Sequence, residues 1–497
     1  MGKYLIGIDL GTSSLKALLL DSQGHYQSPT SFNYPTHSPL PNYSEQDAGD
    51  WYSAAVMAIR SLISETGVKK KQIEGISFSG QMHGLVCVDH HGNPARNAII
   101  WSDQRSAPQV QRIYSEFGKE NYGLLTGNPL STGFMLPSWL WVCENESSTA
   151  KRTRFLMLPK DYLRYKISGD FYSDPSDAAS TGLFDVAEKT WCQSLLEACA
   201  IPETLLPEIR ASHQAAGQVA KTVAAECDLL EGTPLFVGGG DTAVQALGRG
   251  IYRENEISLA ISTGGNLLAI SSAPRIDREL RLHCMNYVLP DLWYNMAATL
   301  SAGYSLKWLK ENFAPELSFA SLADLAQDIQ SSQGLFFLPH LRGERTPYMD
   351  PKSRGVLIGL TSQHRLAHFV RAVMEGVVFS LKAGFDTMKD LKVNAQSITM
   401  SGGGVQHPLW IRLVADIFAR PIRVSSFAYS APLGAAMLAG IGSGIFSDFA
   451  EACQVAAAPS VSEVFPDAKS SEQYRRMYEQ YQSLYPLVKE FYKNEVT

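Results

Sequence analysis

Four short stretches set a carboxylate or a neutral polar side chain beside glycines, the pattern that lets a bound phosphate or polyol approach the backbone. Asp9 closes an apolar run at residues 4–10 and is followed by Gly11-Thr12-Ser13-Ser14. A carboxylate there can hold hydrated Mg²⁺, which takes one or two carboxylates and completes its shell with phosphate oxygens and water. Gly11 admits a phosphate close to the chain, and turn N–H groups form an anion nest. The same residues also suit an ordinary capped β-turn. Gly238-Gly239-Gly240-Asp241 stands between an apolar run at 234–237 and a helical stretch at 242–247. Three glycines predict a chain exposed to whatever fills a cleft. Asp241 reads either as an N-cap or as an ionised carboxylate that takes the proton of an alcohol attacking phosphorus. Ser79-Gly80-Gln81-Met82-His83-Gly84 follows the apolar run 73–78. Gln81 and His83 offer neutral donors and acceptors to a polyhydroxylated ligand, although a lone loop histidine is commonly exposed or structurally bonded. Ser401-Gly402-Gly403-Gly404 lies between a strand-like 397–400 and a helical 410–418, where a flat or phosphorylated ligand can lie against the backbone.

These residues need rigid elements behind them. Residues 4–10 and 15–21 read as two strands of a hairpin whose tip is the Gly/Thr/Ser turn, and residues 257–261 and 266–271 read as a second hairpin with Ser262-Thr263-Gly264-Gly265 at its tip. Two such units about 250 residues apart point to a duplicated α/β architecture. Leu366, Phe369, Val370, Val373, Val377 and Leu381 follow the spacing of one buried helical face, as do Tyr474, Met477, Tyr478, Tyr481, Leu484 and Tyr485 until Pro486, where that helix is expected to stop. A boundary at 248–255, with no low-complexity linker, implies two domains packed around a cleft.

Composition removes several classes of function. The 497 residues carry a net charge of −6, which argues against a mainly electrostatic nucleic-acid binder. Seven scattered cysteines without a CxxC pair fit neither a disulfide framework nor a structural zinc site and favour a reducing cytoplasm. The N-terminus lacks a cleavage pattern. The apolar stretch 431–446 is broken by Pro432 and glycines and is shorter than the roughly 20 residues of a membrane span. No GxxxxGK[ST], HExxH or GxSxG occurs. Gly238, Gly240 and Ala243 do match GxGxxA, but the next strand ends in Ser262-Thr263 where a ribose-binding acid belongs.

In order along nearly the whole chain, GIDLGTSSLKALLLD, SEQDAGDWY, GQMHG, LPKDYLRYKISGDFYSDPSDAAST, GGGDTA, STGG, LSAGYSLKWL, GERTP and RGVLIGLTSQHRLAHFVRAVMEG resemble the motifs of the FGGY carbohydrate kinases. The resemblance implies an α/β, two-domain ribonuclease-H-like (actin-like ATPase) fold with the catalytic cleft between the domains. Residues 1–248 would bind sugar and carry the catalytic aspartate, and residues 249–497 would bind nucleotide. It implies transfer of phosphate from ATP, with Mg²⁺, to a ketopentose, D-xylulose, giving the 5-phosphate. Carried over by position, Asp241 is the general base, and Asp9 is the acidic residue at the metal and γ-phosphate. Gly11, Thr12 and Ser13 form the phosphate hairpin, and Gln81, Met82 and His83 lie with Asp241 on the sugar. Thr263, Gly264, Gly303, Gly403 and Gly404 line the nucleotide site. The implied partners are a sugar and MgATP, with no nucleic acid and no membrane; a homodimer is compatible. Two positions depart from the family pattern: Ser138, where lysine is usual, and His407, where asparagine is usual. Gluconate, another ketose or a polyol would be the substrate of a sister kinase. GQMHG favours xylulose, whereas an aldonate carboxylate calls for a nearby cation, for which Arg105 and Lys160 are candidates. An actin- or chaperone-like nucleotide switch is the alternative outside sugar kinases, and the GGGD and Gln-Met-His loops argue against it.

Overall fold

The computed structural model describes residues 2–394, 397–457 and 462–493. Apolar residues alternate with glycine and polar residues in the two opening runs, and each run folds back on itself as a hairpin. Strand β1 (Tyr4–Leu10) pairs antiparallel with β2 (Ser14–Asp21), which pairs antiparallel with β3 (Tyr26–Asn33). On its other side β1 runs parallel to β4 (Ile73–Gly80), and β4 runs parallel to β5 (Pro234–Phe236). The second half repeats this plan. Strand β6 (Glu256–Ile261) pairs antiparallel with β7 (Gly265–Ser271), and β7 with β8 (Trp293–Thr299). Strand β9 (Ser397–Gly402) runs parallel to β6, and β10 (Ile422–Val424) parallel to β9. The order β3-β2-β1-β4-β5 therefore recurs as β8-β7-β6-β9-β10, each within a seven-stranded sheet. The duplication expected from the two hairpins extends to whole sheets.

Each sheet is covered by helices whose buried faces match the sequence periodicity. Trp51, Ala55, Ile59 and Leu62 of helix Ala48–Thr66 close one core. Helices Leu366–Asp390, Pro408–Phe418 and Ala468–Lys493 close the other. The last helix does not stop at Pro486. Pro486 is solvent-exposed, so the carbonyl that loses its partner can bond to water. The packed Tyr474, Tyr478, Tyr481, Leu484 and Tyr485 hold the helix in register up to that point.

The apolar stretch 431–446 joins the two halves. Helix Ser430–Gly442 is buried on nearly every side and packs on β1 and on helix Asp241–Gly248. Glycine makes this approach possible. A Cβ at Gly7 would lie 1.8 Å from the Pro432 carbonyl, one at Gly248 1.9 Å from that of Ser430, and one at Gly434 2.0 Å from that of Val244. No described helix is long and apolar enough to cross a membrane, and all seven cysteines are free thiols.

Candidate active site

Sheet register brings the two aspartates to one edge. Asp9 on β1 and Gly239 on the short strand Gly239–Gly240 both stand opposite Ser79 of β4, which lies between them. Asp9 and Gly239 are thus about 10 Å apart in backbone, two strand spacings, and Asp241 follows two residues on, so both carboxylates leave the same end of the sheet. Asp9 is buried; its Oδ1 accepts from Ser79 Oγ at 2.7 Å. Burial raises its pKa, opposed by the Ser79 hydrogen bond and by the charge of Lys16 on β2. Asp241 is half-buried at the first position of helix Asp241–Gly248. Burial, then the charge of Asp9, pushes its pKa up to about 7, against a hydrogen bond from Thr242 Oγ1 at 3.1 Å.

Two readings of the GGGD loop are thereby decided. Gly240, not Asp241, is the N-cap of the helix, so the carboxylate is not spent on capping. The three glycines are buried rather than exposed. Gly238 has φ +80°, and a Cβ there would lie 2.0 Å from the Phe78 carbonyl; Gly240 lies against Met82. Their role is to let the loop lie against β4, which fixes where Asp241 starts.

The first hairpin tip is braced from three sides. Gly11 N–H closes it on Ser14 O at 3.1 Å. Gln46 Nε2 donates to Thr12 O at 2.6 Å, Trp101 Nε1 to Thr12 Oγ1 at 2.9 Å, and Tyr34 donates its hydroxyl to Gly11 O. Ser13 is exposed at the apex. The buried Gln81 donates its backbone N–H to Leu10 O and its Nε2 to Gln46 Oε1, both at 2.8 Å, while its Oε1 has no hydrogen-bond partner among the described residues.

Among the described residues His83 is hydrogen-bonded at one ring nitrogen only. It adopts φ +75°, stacks on Phe134 with ring centroids 4.1 Å apart, and holds Ser180 O at 2.8 Å through Nδ1. A carbonyl only accepts, so Nδ1 carries the proton and Nε2 presents a lone pair. Burial lowers the pKa to about 4, which keeps the ring neutral at physiological pH. The charge of Arg345, from the GERTP stretch, reaches His83.

At the tip of the second hairpin lies a cavity of about 550 Å³ lined by Thr263, Gly303, Gly403 and Gly404, a volume in the range of small-molecule sites. Gly264 is not on its wall; a Cβ there would lie 2.9 Å from Thr299 O. The tip is locked to helix Gly303–Phe313 because Thr263 O accepts from Ala302 N and Tyr304 N, both at 3.0 Å. Tyr304, with the Arg342 guanidinium 3.7 Å over its ring, together with Phe319 and Trp410, supplies aromatic surface that sequence reading had not assigned to the site. In sequence these residues have the same spacing as core positions. Glu344 of GERTP was also not singled out. It is buried, accepts from Thr299 Oγ1 at 2.8 Å and Ser380 Oγ at 3.1 Å, and burial pushes its pKa up to about 7.

Of the two departures from the family pattern, one is hydrogen-bonded and the other is not. His407 caps helix Pro408–Phe418, with Nδ1 accepting from Leu409 N at 3.1 Å and Nε2 3.1 Å from Asp324. Ser138 is fully buried, and its hydroxyl has no hydrogen-bond partner among the described residues. The two candidate cations are both committed. Lys160 is buried against Asp161, Asp174 and Asp177, and Arg105 pairs with Asp103 and Glu45. Among the described residues no cluster of three or more His, Cys, Asp or Glu could enclose a metal by itself. A lone hard carboxylate at Asp9 instead suits an ion that arrives largely coordinated by phosphate and water.

Residues 4–248 match the N-terminal domain of the FGGY family of carbohydrate kinases, and residues 259–443 match its C-terminal domain. The chain belongs to the FGGY family of carbohydrate kinases. It is 37% identical over 489 residues to the xylulose kinase of Bacillus subtilis, covering 98% of both chains. The structure of a ligand-bound xylulose kinase from Lactobacillus acidophilus superposes with a TM-score of 0.93 at 25% identity, covering 99% of each chain. That of a gluconate kinase from the same organism also gives 0.93 at 25%, covering 98% of each. The kinase thus has the two-domain, actin-like ATPase fold, and phosphoryl transfer from ATP to a carbohydrate is its reaction. Fold similarity alone does not separate the two sugars.

Proposed function

We propose that this kinase transfers the γ-phosphoryl group of ATP to the terminal hydroxyl of D-xylulose, giving D-xylulose 5-phosphate. The shared edge of Asp9 and Asp241 is the observation that carries the chemistry; the near-full-length identity to a xylulose kinase supports the sugar. Asp241, ionised, accepts the proton of the attacking hydroxyl. Its raised pKa makes it a better base than an ordinary carboxylate near neutral pH. His83 Nε2 and Gln81 Oε1 accept from sugar hydroxyls, and Met82 gives the sugar an apolar floor beside Gly240. Thr12 and Ser13 direct backbone N–H groups toward the transferring phosphate at the tip that Gly11 closes, Thr263, Gly303, Gly403 and Gly404 hold the nucleotide, and Gly264 keeps the second tip tight behind them. Mg²⁺ bound with ATP would be held by Asp9 and would neutralise charge on the phosphates. Residues 1–248 form the sugar-binding domain and residues 249–497 the nucleotide-binding domain, and a cytoplasmic enzyme, monomeric or homodimeric, fits this reading.

Gluconate is the second reading, because the Arg345 charge reaches His83 and could meet a carboxylate. Lys160 and Arg105, both paired, do not offer that partner. ADP formation with MgATP and a panel of pentuloses, hexuloses, polyols and gluconate decides between them. Xylulose is expected to give the highest kcat/KM. A higher value for gluconate would overturn the substrate, and no sugar-dependent ADP at all would overturn the kinase reading.

A further inference from the structure

Residues 174–181 touch both the catalytic loop and the sugar loop. The buried Asp174 carboxylate caps the short helix Pro175–Ala178, with Oδ2 accepting from Ser176 N at 2.9 Å. The same oxygen accepts from Ser176 Oγ at 2.5 Å and from Ser212 Oγ at 3.0 Å. With its proton committed to Asp174, Ser176 Oγ turns a lone pair to Gly240 N–H, 3.1 Å away. Ser212 O accepts from Gly238 N at 2.8 Å. Both ends of the glycine loop that launches Asp241 therefore hang from one carboxylate through two serines. Four residues on, Ser180 Oγ donates to Asp177 O at 2.6 Å and accepts from His83 N at 3.0 Å, while Ser180 O fixes the His83 tautomer. The fully buried Lys160 ammonium lies 2.6 Å from Asp161, 3.1 Å from Asp174 and 3.6 Å from Asp177. It supplies the charge that lets these carboxylates sit out of water. A hydrogen-bonded polar network in a buried interior is stiff.

We propose that residues 174–181, with Lys160 as counter-ion, act as a positioning unit that sets Asp241 and His83 relative to one another, Ser176 acting on turnover through Gly240 and Ser180 acting on sugar affinity through His83. This rests on the reading of Asp241 as base and His83 as sugar contact. A displacement of about 1 Å at a reacting group costs on the order of 100-fold in rate. Loss of one neutral hydrogen bond at a binding group costs up to roughly tenfold in affinity.

The test compares Ser176→Ala, Ser180→Ala, Asp241→Asn and the double variant Ser176→Ala/Asp241→Asn on the full chain, with rates normalised to the folded fraction by circular dichroism. Ser176→Ala is expected to lower kcat about 10- to 100-fold with sugar KM nearly unchanged, and to add little in the Asp241→Asn background. Ser180→Ala is expected to raise sugar KM several-fold with kcat nearly unchanged. Wild-type kinetics in both serine variants, an identical pattern in the two, or a full multiplicative loss in the double variant would overturn the proposal. Wild-type turnover in Asp241→Asn would instead remove the base assignment on which it rests. If Ser176→Ala does not fold, Ser212→Ala, which strips one donor from the same Asp174 oxygen, takes its place with a smaller expected fall in kcat; an unchanged kcat there counts against the proposal.

Discussion

Asp9 and Asp241 stand at one sheet edge on either side of β4, and the charge of Asp9 helps raise the Asp241 pKa to about 7. A carboxylate that is reluctant to ionise is for that reason a stronger proton acceptor once ionised. Several measurable consequences come from that pair and from the packing around it.

For the free enzyme, kcat/KM should fall about tenfold per pH unit below pH 7 as Asp241 takes a proton. Removing the neighbouring charge lowers the pKa of Asp241, so the residual activity of Asp9→Asn should show its acid limb at lower pH. A pH–rate profile of the two proteins checks this. An acid limb at the same pH in both would break the link between the carboxylates.

Asp241→Asn should cut turnover by at least about 100-fold while nucleotide binding by calorimetry stays near wild type. Its effect on stability has the opposite sign. The folded pKa lies above the value of an unstructured aspartate, so ionisation favours the unfolded chain. Below about pH 4 the carboxyl is protonated in both states and the variant gains nothing. Between there and about pH 7 the cost of the wild-type carboxylate grows, and above pH 7 it is fully present, on the order of a few kcal/mol. Thermal melts of the ligand-free proteins should show the variant more stable at pH 8 and equal at pH 4.

Lys160→Met should destabilise by roughly 3–5 kcal/mol, the size expected when one partner of a buried ionic cluster is lost. Urea denaturation measures it. A change below about 1 kcal/mol would mean that the cluster does not depend on the ammonium.

Gly434→Ala places a methyl where the Val244 carbonyl already lies, at 2.0 Å. The halves must part or the helix must shift, so melting temperature and kcat should fall together. A variant with wild-type values for both would show that the joint tolerates the displacement.

His407→Asn should keep the helix cap and leave stability and the KM for ATP close to wild type. His407→Ala should lose about 1 kcal/mol of stability. Equal melting temperatures for the two variants would remove the capping role.

Local pattern carried far in this chain. The hairpins at residues 4–21 and 256–271, the helical stripes at 366–381 and 474–485, and the order of the glycine-bearing motifs all depend on neighbours within a few positions, so they are legible from the sequence. The errors came where a distant partner decides. The local rule ends a helix at Pro486 where tertiary support is lacking, yet the tyrosine face packed on the second core carries the helix through it. At Gly238, Gly239 and Gly240 glycine permits exposure as readily as close packing, and only β4 lying against them selects the second. Tyr304, Phe319 and Trp410 are not distinguishable locally, because a cavity wall and a core use the same apolar residues.

Composition and motif order in the sequence by themselves determined the duplicated α/β plan and the family, and singled out Asp9 and Asp241 as candidates. Only the tertiary structure decided that Asp241 leaves capping to Gly240, that Asp9 lies close enough to raise its pKa, that His83 keeps its proton on Nδ1, and that Lys160 and Arg105 are already paired. The reason is physical. Strand and helix periodicity are set by residues next to one another along the chain, whereas a carboxylate's pKa, a tautomer and the availability of a cation are set by burial and by charges tens to hundreds of residues away.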